Sequence, residues 1–185
     1  VAPWSVLAYY PHLFVEVTIR RARTADVQAI SRLIDLYAGS GRRLLKKSIV
    51  TLYEDVQEFW VADDTELGVV GCGALHVMWK DLAEVRSVAV DPDCGGRGIG
   101  HGIVSRLLDT AQRLGVARVF CLTFQVDFFA RHGFEAIQGT PVSPEVYDEL
   151  FRSYDEGVAE FLNLDRVKPN TLGNTRMLLR LEDGS

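Results

Sequence analysis

Val88–Gly100 reads VAVDPDCGGRGIG: a β-branched strand that breaks at Pro92 and enters a glycine-rich turn. The apolar pattern of a helix begins directly after it, at Ile99. Glycines leave backbone N–H groups uncovered and allow close approach, and a helix N-terminus adds unpaired donors with a partial positive charge. Together these make a seat for a pyrophosphate. Five glycines within the eight residues Gly95–Gly102 are costly to order, which argues against a plain helix cap. Two nucleotide signatures do not fit. A Rossmann site needs GxGxxG after a first strand and an acidic residue about 20 residues later, whereas this strand is at least the fourth in order. A P-loop needs a Lys after its glycines, and none follows here.

The 185 residues are most simply one domain, with 48% hydrophobic and 24% charged residues. A net charge of −5 offers no general basic surface for nucleic acid. The cysteines, Cys72, Cys94 and Cys121, form neither a CxxC nor a metal pattern, which fits a reducing cytoplasm. His12, His76, His101 and His132 do not cluster in sequence, so no metal site is expected. Residues 1–15 are apolar but lack a basic n-region and an A-x-A site, and Pro3 and Pro11 interrupt them. They read as an N-terminal extension, too short to span a bilayer, ahead of a single domain over 16–185.

Periodicity places a strand at Val15–Arg20, then a helix with Val27, Ile30, Leu33, Ile34 and Tyr37 inward, capped by Thr24 or Asp26 and ended by Gly39 and Gly41. A short helix follows at Ser48–Val56, then strands at Glu58–Asp63, Val69–Met78 and Glu84–Val90. The clearest helix carries Ile99, Ile103, Val104, Leu107, Leu108, Ala111 and Leu114 on one stripe and closes at Gly115. Arg118–Thr123 is a strand, Asp127–His132 a short helix, and Phe134–Ile137 a strand. One helix starts at Ser143-Pro144-Glu145, and Arg176–Leu181 is the last strand. The order predicts an α/β (α+β) fold, a mixed central β-sheet flanked by helices.

Gly95-Gly96-Arg97-Gly98-Ile99-Gly100 resembles the acyl-CoA motif of the GNAT superfamily of N-acyltransferases, Gln/Arg-x-x-Gly-x-Gly/Ala after the fourth strand, with Gly95 where Gln or Arg is usual. Phe128-Phe129-Ala130-Arg131-His132-Gly133-Phe134 is similar to that superfamily's late motif, an aromatic pair before x-x-x-Gly-Phe. The resemblance implies the GNAT fold over roughly residues 16–182. It also implies acetyl-CoA as co-substrate, held by Val88, Ala89 and Val90, by Gly95, Gly96, Arg97, Gly98, Ile99 and Gly100, and by Phe128 and Phe129.

Many members carry a Tyr at the second aromatic, whose phenol protonates the departing thiolate. Phe129 cannot donate a proton. In this the chain resembles the amino-acid acetyltransferases, the N-acetylglutamate synthases. Further matches are Lys46-Lys47-Ser48, Cys72-Gly73-Ala74-Leu75, the run Glu84–Val90, Leu122-Thr123 and Gly173-Asn174-Thr175-Arg176. In the last, Gly173 replaces the family's Arg, and Lys168 or Arg176 is the candidate to supply that charge. The kinase-like domain of the long synthases is absent, so the resemblance is to the freestanding form. It implies acetylation of the α-amine of L-glutamate, the entry to arginine biosynthesis, by a cytoplasmic enzyme with no metal, no membrane and no nucleic-acid partner; a homodimer stays open.

Attack on a thioester needs a neutral amine, so the substrate's ammonium group needs a base. Glu84 is the candidate, or else a solvated strand-end charge; Thr123 is a candidate weak acid, or else a β-branched strand residue. Backbone N–H groups of Val88 and Val90 are candidates to hold the thioester carbonyl and pantetheine. Two substrate carboxylates need two cationic or donor clusters: Lys46 and Lys47 form one, Arg176 with Asn174 and Thr175 the other. Arg86 shares a strand face with Glu84, and either steers an acid or pairs with Glu84. Arg97 is expected to face solvent or a CoA phosphate, and His132 to lie at the surface. Cys72 and Cys121 read as buried strand residues. Three alternatives remain: another small amine, a protein amine, or a non-catalytic acyl-CoA sensor.

Overall fold

Runs of apolar, β-branched residues become strands wherever both faces can be covered, and the middle of this chain does so most completely. A computed structural model describes residues 16–38, 47–167 and 173–181. Residues 1–15, Gly39, Gly41, Lys46 and Lys168, each given a reading above, lie outside the described residues. In chain order the elements are β1 (Val17–Arg21), α1 (Val27–Ala38), α2 (Ile49–Glu54), β2 (Phe59–Asp64), β3 (Gly68–Trp79), β4 (Leu82–Val90), α3 (Ile99–Arg113), β5 (Arg118–Thr123), α4 (Val126–Ala130), β6 (Glu135–Ala136), α5 (Pro144–Leu150), α6 (Glu156–Phe161) and β7 (Thr175–Arg180).

The described strands form one sheet in the order β1-β2-β3-β4-β5-β7-β6. Neighbours are antiparallel except β4 and β5, which are parallel. The helix α3 supplies the crossover between these two, as a parallel pair requires. Its stripe of Ile99, Ile103, Val104, Leu107 and Ala111 packs against Ala62, Val70, Leu75, Ala83 and Val119 on one face of the sheet. Burying each such Leu or Ile stabilises the fold by about 1.5–3 kcal/mol. On the opposite face, α1 lays Val27, Ile30, Leu33 and Ile34 over Phe59, Val61 and Cys72. Beside it, Leu150, Val158 and Phe161 of α5 and α6 cover Leu82, Phe120 and Leu178. Cys72 and Cys121 are buried and unpaired, as expected. Burial pushes the Cys72 thiol up to about 12 and raises that of Cys121 as well.

Three sequence expectations change. The single helix expected after Ser143 is two, because Asp155 caps a second helix, its side chain accepting the Val158 N–H at 3.0 Å. The expected strand Phe134–Ile137 pairs only over Glu135–Ala136. Neither Thr24 nor Asp26 caps α1 directly; a 3₁₀ turn over Thr24–Asp26 leads into it, and Asp26 accepts the Arg23 N–H at 2.7 Å and a bidentate Arg20 at 2.7 and 2.9 Å. Among the described residues no helix is long and apolar enough to cross a membrane.

Candidate active site

β4 and β5 pair only over Leu82–Glu84 against Arg118–Phe120, and beyond Glu84 they part. The register of β4 against β3 shifts between Cys72 and Ala74, opposite Ser87, whose φ is +56°. A bulge of this kind bends a strand and re-aims its side chains. Between the diverging strands lies a cavity of about 290 Å³. Val88, Ala89 and Val90 form one wall, and Leu122 and Thr123 the other. Gly100 of α3, Phe128 and Phe129 of α4, and Asn174 also line it. The Tyr37 hydroxyl donates to the Val90 carbonyl at 2.5 Å and so ties α1 to the first wall.

The glycine-rich turn stands at the end of β4. Gly98 is the N-cap of α3 with φ +76°, a left-handed conformation that favours glycine, and no side chain caps the helix. A Cβ at Gly96 or Gly98 would meet nothing within 4 Å, so the space before the turn is open to a bulky anion. These features fit the pyrophosphate of a CoA group. Ile99 instead is core. Arg97 does not face solvent alone: its Nη1 lies 3.2 Å from Asp64, a buried carboxylate that also accepts the Glu66 and Leu67 N–H groups. Arg97 therefore anchors the turn to the hairpin between β2 and β3. His132 is likewise held, its Nε2 2.9 Å from Nδ1 of His101 on α3.

Glu84 is the last β4 residue paired with β5, at the point where the strands part. It is 3% exposed, and its Oε2 has no hydrogen-bond partner. Burial pushes its carboxyl up to about 7, against the opposing charge of Arg86. Arg86 Nη1 is 3.7 Å from Glu84 Oε2 and 2.9 Å from both carboxylate oxygens of Asp155. Its Nη2 reaches Glu58 at 3.1 Å and Asp55 at 3.4 Å. Lys47 pairs with Asp55 at 2.7 Å, and His76 Nδ1 with Glu58 at 2.7 Å. The structure thus gathers Lys47, Arg86 and Glu84 into one network, but each cation faces carboxylates of its own chain.

Thr123 is buried, lines the cavity and accepts the Gln125 N–H at 2.8 Å, which leaves its own proton to donate. Asn174 reaches the cavity, while Thr175 pairs with Thr123 in the sheet. Arg176 turns away to the end of α6: it donates to the carbonyls of Glu160 at 2.8 Å, Phe161 at 2.6 Å and Gly139 at 3.1 Å. Sequence reasoning missed Tyr37 as a cavity residue, reading it as an apolar helix position. It also missed Asp155, which joins the Arg86 network. Asp155 had a legible signal, an N-cap residue ahead of a short apolar run.

Residues 55–136 match the family described as acetyltransferase (GNAT) domain. An amino-acid acetyltransferase of Mycobacterium tuberculosis is 64% identical over 165 residues, covering 88% of this chain and 94% of that protein. A crystal structure from the same organism, in complex with CoA and NLQ, superposes with a TM-score of 0.85 at 64% identity, over 89% of this chain and 99% of that one. An N-acetylglutamate synthase of Neisseria gonorrhoeae, complexed with coenzyme A and N-acetyl-glutamate, shares the fold with a TM-score of 0.70 at 23% identity, over 90% of this chain and 35% of that one.

Proposed function

Because the chain belongs to the GNAT acetyltransferases, as an amino-acid acetyltransferase, we propose that it transfers acetyl from acetyl-CoA to the α-amine of L-glutamate. The observation that carries this reading is the position of Glu84, buried where β4 and β5 part beside the open glycine turn. Acetyl-CoA supplies the activated thioester. The turn at Gly96–Gly100 receives its pyrophosphate, and the β4 backbone at Val88 and Val90, no longer paired with β5, holds the thioester carbonyl and pantetheine. Glu84 accepts the ammonium proton, directly or through water, and frees the amine for attack. A carboxyl pushed up to about 7 is better matched to that task than an ordinary one. Phe129 donates no proton, so Thr123 or water serves the departing thiolate. Arg86 and Lys47 orient the acceptor's carboxylates. Burial raises the thiols of Cys72 and Cys121 and disfavours their thiolates, which supports direct attack in a ternary complex.

A second reading keeps this chemistry and changes the acceptor. Lys47 and Arg86 already face Asp55, Glu58 and Asp155, which favours an amino acid with a single carboxylate. CoA release from acetyl-CoA across the proteinogenic amino acids tests both readings. Glutamate as the best acceptor supports the first; a neutral amino acid as the best acceptor supports the second. Acetyl-CoA binding without turnover on any acceptor overturns both.

A further inference from the structure

Resting on the reading of Glu84 as the base, we infer that Gly157 of α6 is a positioning residue for it: the bare backbone at Gly157 leaves the recess in which the Glu84 carboxyl sits. Gly157 has no side chain to offer a substrate and acts only through Glu84.

Gly157 is the second residue of α6, which begins at Glu156 after the Asp155 cap, and it is buried. Glycine is a poor helix former beside alanine, and no left-handed φ calls for it here. What calls for it is close approach. A Cβ there would collide with Glu84 Oε2 and lie 3.0 Å from both Arg86 Nη1 and Asp155 Oδ1. Among the described glycines, only Gly157 has charged side chains as the nearest neighbours of that position; most of the others face apolar side chains or open space.

The helix wall is fixed and the carboxyl is not. α6 is tied at its start by Asp155, whose carboxylate meets Arg86 at 2.9 Å and accepts the Val158 N–H at 3.0 Å. It is tied at its end by Arg176, which donates to the Glu160 and Phe161 carbonyls at 2.8 and 2.6 Å. Glu84 Oε2, by contrast, has no hydrogen-bond partner, and Arg86 Nη1 stands 3.7 Å away. Its place is therefore set by the shape of its surroundings, where a helix backbone without a side chain is the nearest wall. A methyl group at position 157 cannot push α6 back against these ties, so flexible side-chain ends give way. At 3.0 Å, Arg86 and Asp155 need yield only a few tenths of an ångström, and the displacement falls on Glu84. The carboxyl then leaves the position from which it takes the ammonium proton, while the glycine turn and the wall at Val88–Val90 are untouched.

The test is a double-mutant cycle on the full chain, Gly157→Ala and Glu84→Ala singly and together, read by steady-state kinetics at neutral pH and by acetyl-CoA calorimetry. Gly157→Ala should lower kcat by roughly 10²-fold, the scale of a misplacement of about 1 Å, with the KM and affinity for acetyl-CoA unchanged. In the Glu84→Ala background no carboxyl is left to displace, and the same substitution should cost less than about twofold. Equal losses in the two backgrounds make Gly157 a packing residue of α6 and overturn the proposal, as does a parent-like kcat in Gly157→Ala. Should Gly157→Ala fail to fold, the double variant decides: a recovered fold upholds the recess, and a second failure overturns it. Full turnover in Glu84→Ala is a separate result, which removes Glu84 as the base and the role of Gly157 with it.

Discussion

Arg86 of β4 and Asp155 of α6 are joined across 69 residues of sequence by a guanidinium nitrogen 2.9 Å from each carboxylate oxygen. The same carboxylate caps α6 by accepting the Val158 N–H at 3.0 Å. One side chain therefore fixes both the start of the helix that overlies Glu84 and the direction of the cation beside it. Burial opposes the Asp155 charge, but Arg86 and His76 hold its carboxyl below the ordinary 3.8. Its contribution is thus present above that value and lost as pH falls through the lowered one.

Replacing Asp155 separates these two roles. Asp155→Asn keeps an oxygen for the cap but releases Arg86, and should alter the KM for the amino acid more than that for acetyl-CoA. Asp155→Ala also removes the cap, a loss of about 0.5–2 kcal/mol by itself. Denaturant melts with steady-state kinetics check this order. Equal stability of the two variants would exclude the cap as a stabilising contact.

Gly100 offers a cleaner test of the cofactor seat than Gly98. A side chain at Gly98 is strained at φ +76° whatever the ligand does, whereas a Cβ at Gly100 meets the Phe128 ring at an ordinary 3.4 Å. Gly100→Asp places a negative charge at the first turn of α3, the proposed seat of the pyrophosphate. Calorimetry should show acetyl-CoA binding lost while the far-UV spectrum is kept. Gly100→Ala should bind far more nearly as the parent does. Unaltered affinity in Gly100→Asp would move the cofactor elsewhere.

Glu84→Gln should lower turnover by roughly 10²–10⁴-fold with acetyl-CoA affinity intact, the loss shrinking as pH rises and free amine becomes available. The same change should stabilise the fold. A buried carboxyl raised from 4.5 to about 7 binds its proton more tightly in the folded state. The parent is favoured below 4.5 and loses that advantage as pH rises through about 7. Thermal melts at pH 5 and pH 8 check the sign: the variant should gain over the parent chiefly at the higher pH. A gain that is largest at the lower pH would contradict the burial of an ionisable Glu84.

The sequence by itself determined most of the elements and named the candidate seat of the cofactor. Strand and helix periodicity, the Pro92 break, the glycine turn and the Glu84–Val90 run are local patterns, and backbone geometry follows from neighbours in the chain. Glu84, Thr123 and Val88–Val90 could be named because they lie within such a run or beside it. What only the tertiary structure decided is whom the charged side chains meet. Lys47 faces Asp55, Arg97 faces Asp64, Arg86 faces Asp155, and Arg176 holds the end of α6. Each of these partners arrives from another element. The divergence of β4 and β5 arises in the same way. A cation's role depends on the nearest opposite charge and on the water excluded around it, and both are set by packing between segments far apart in the chain.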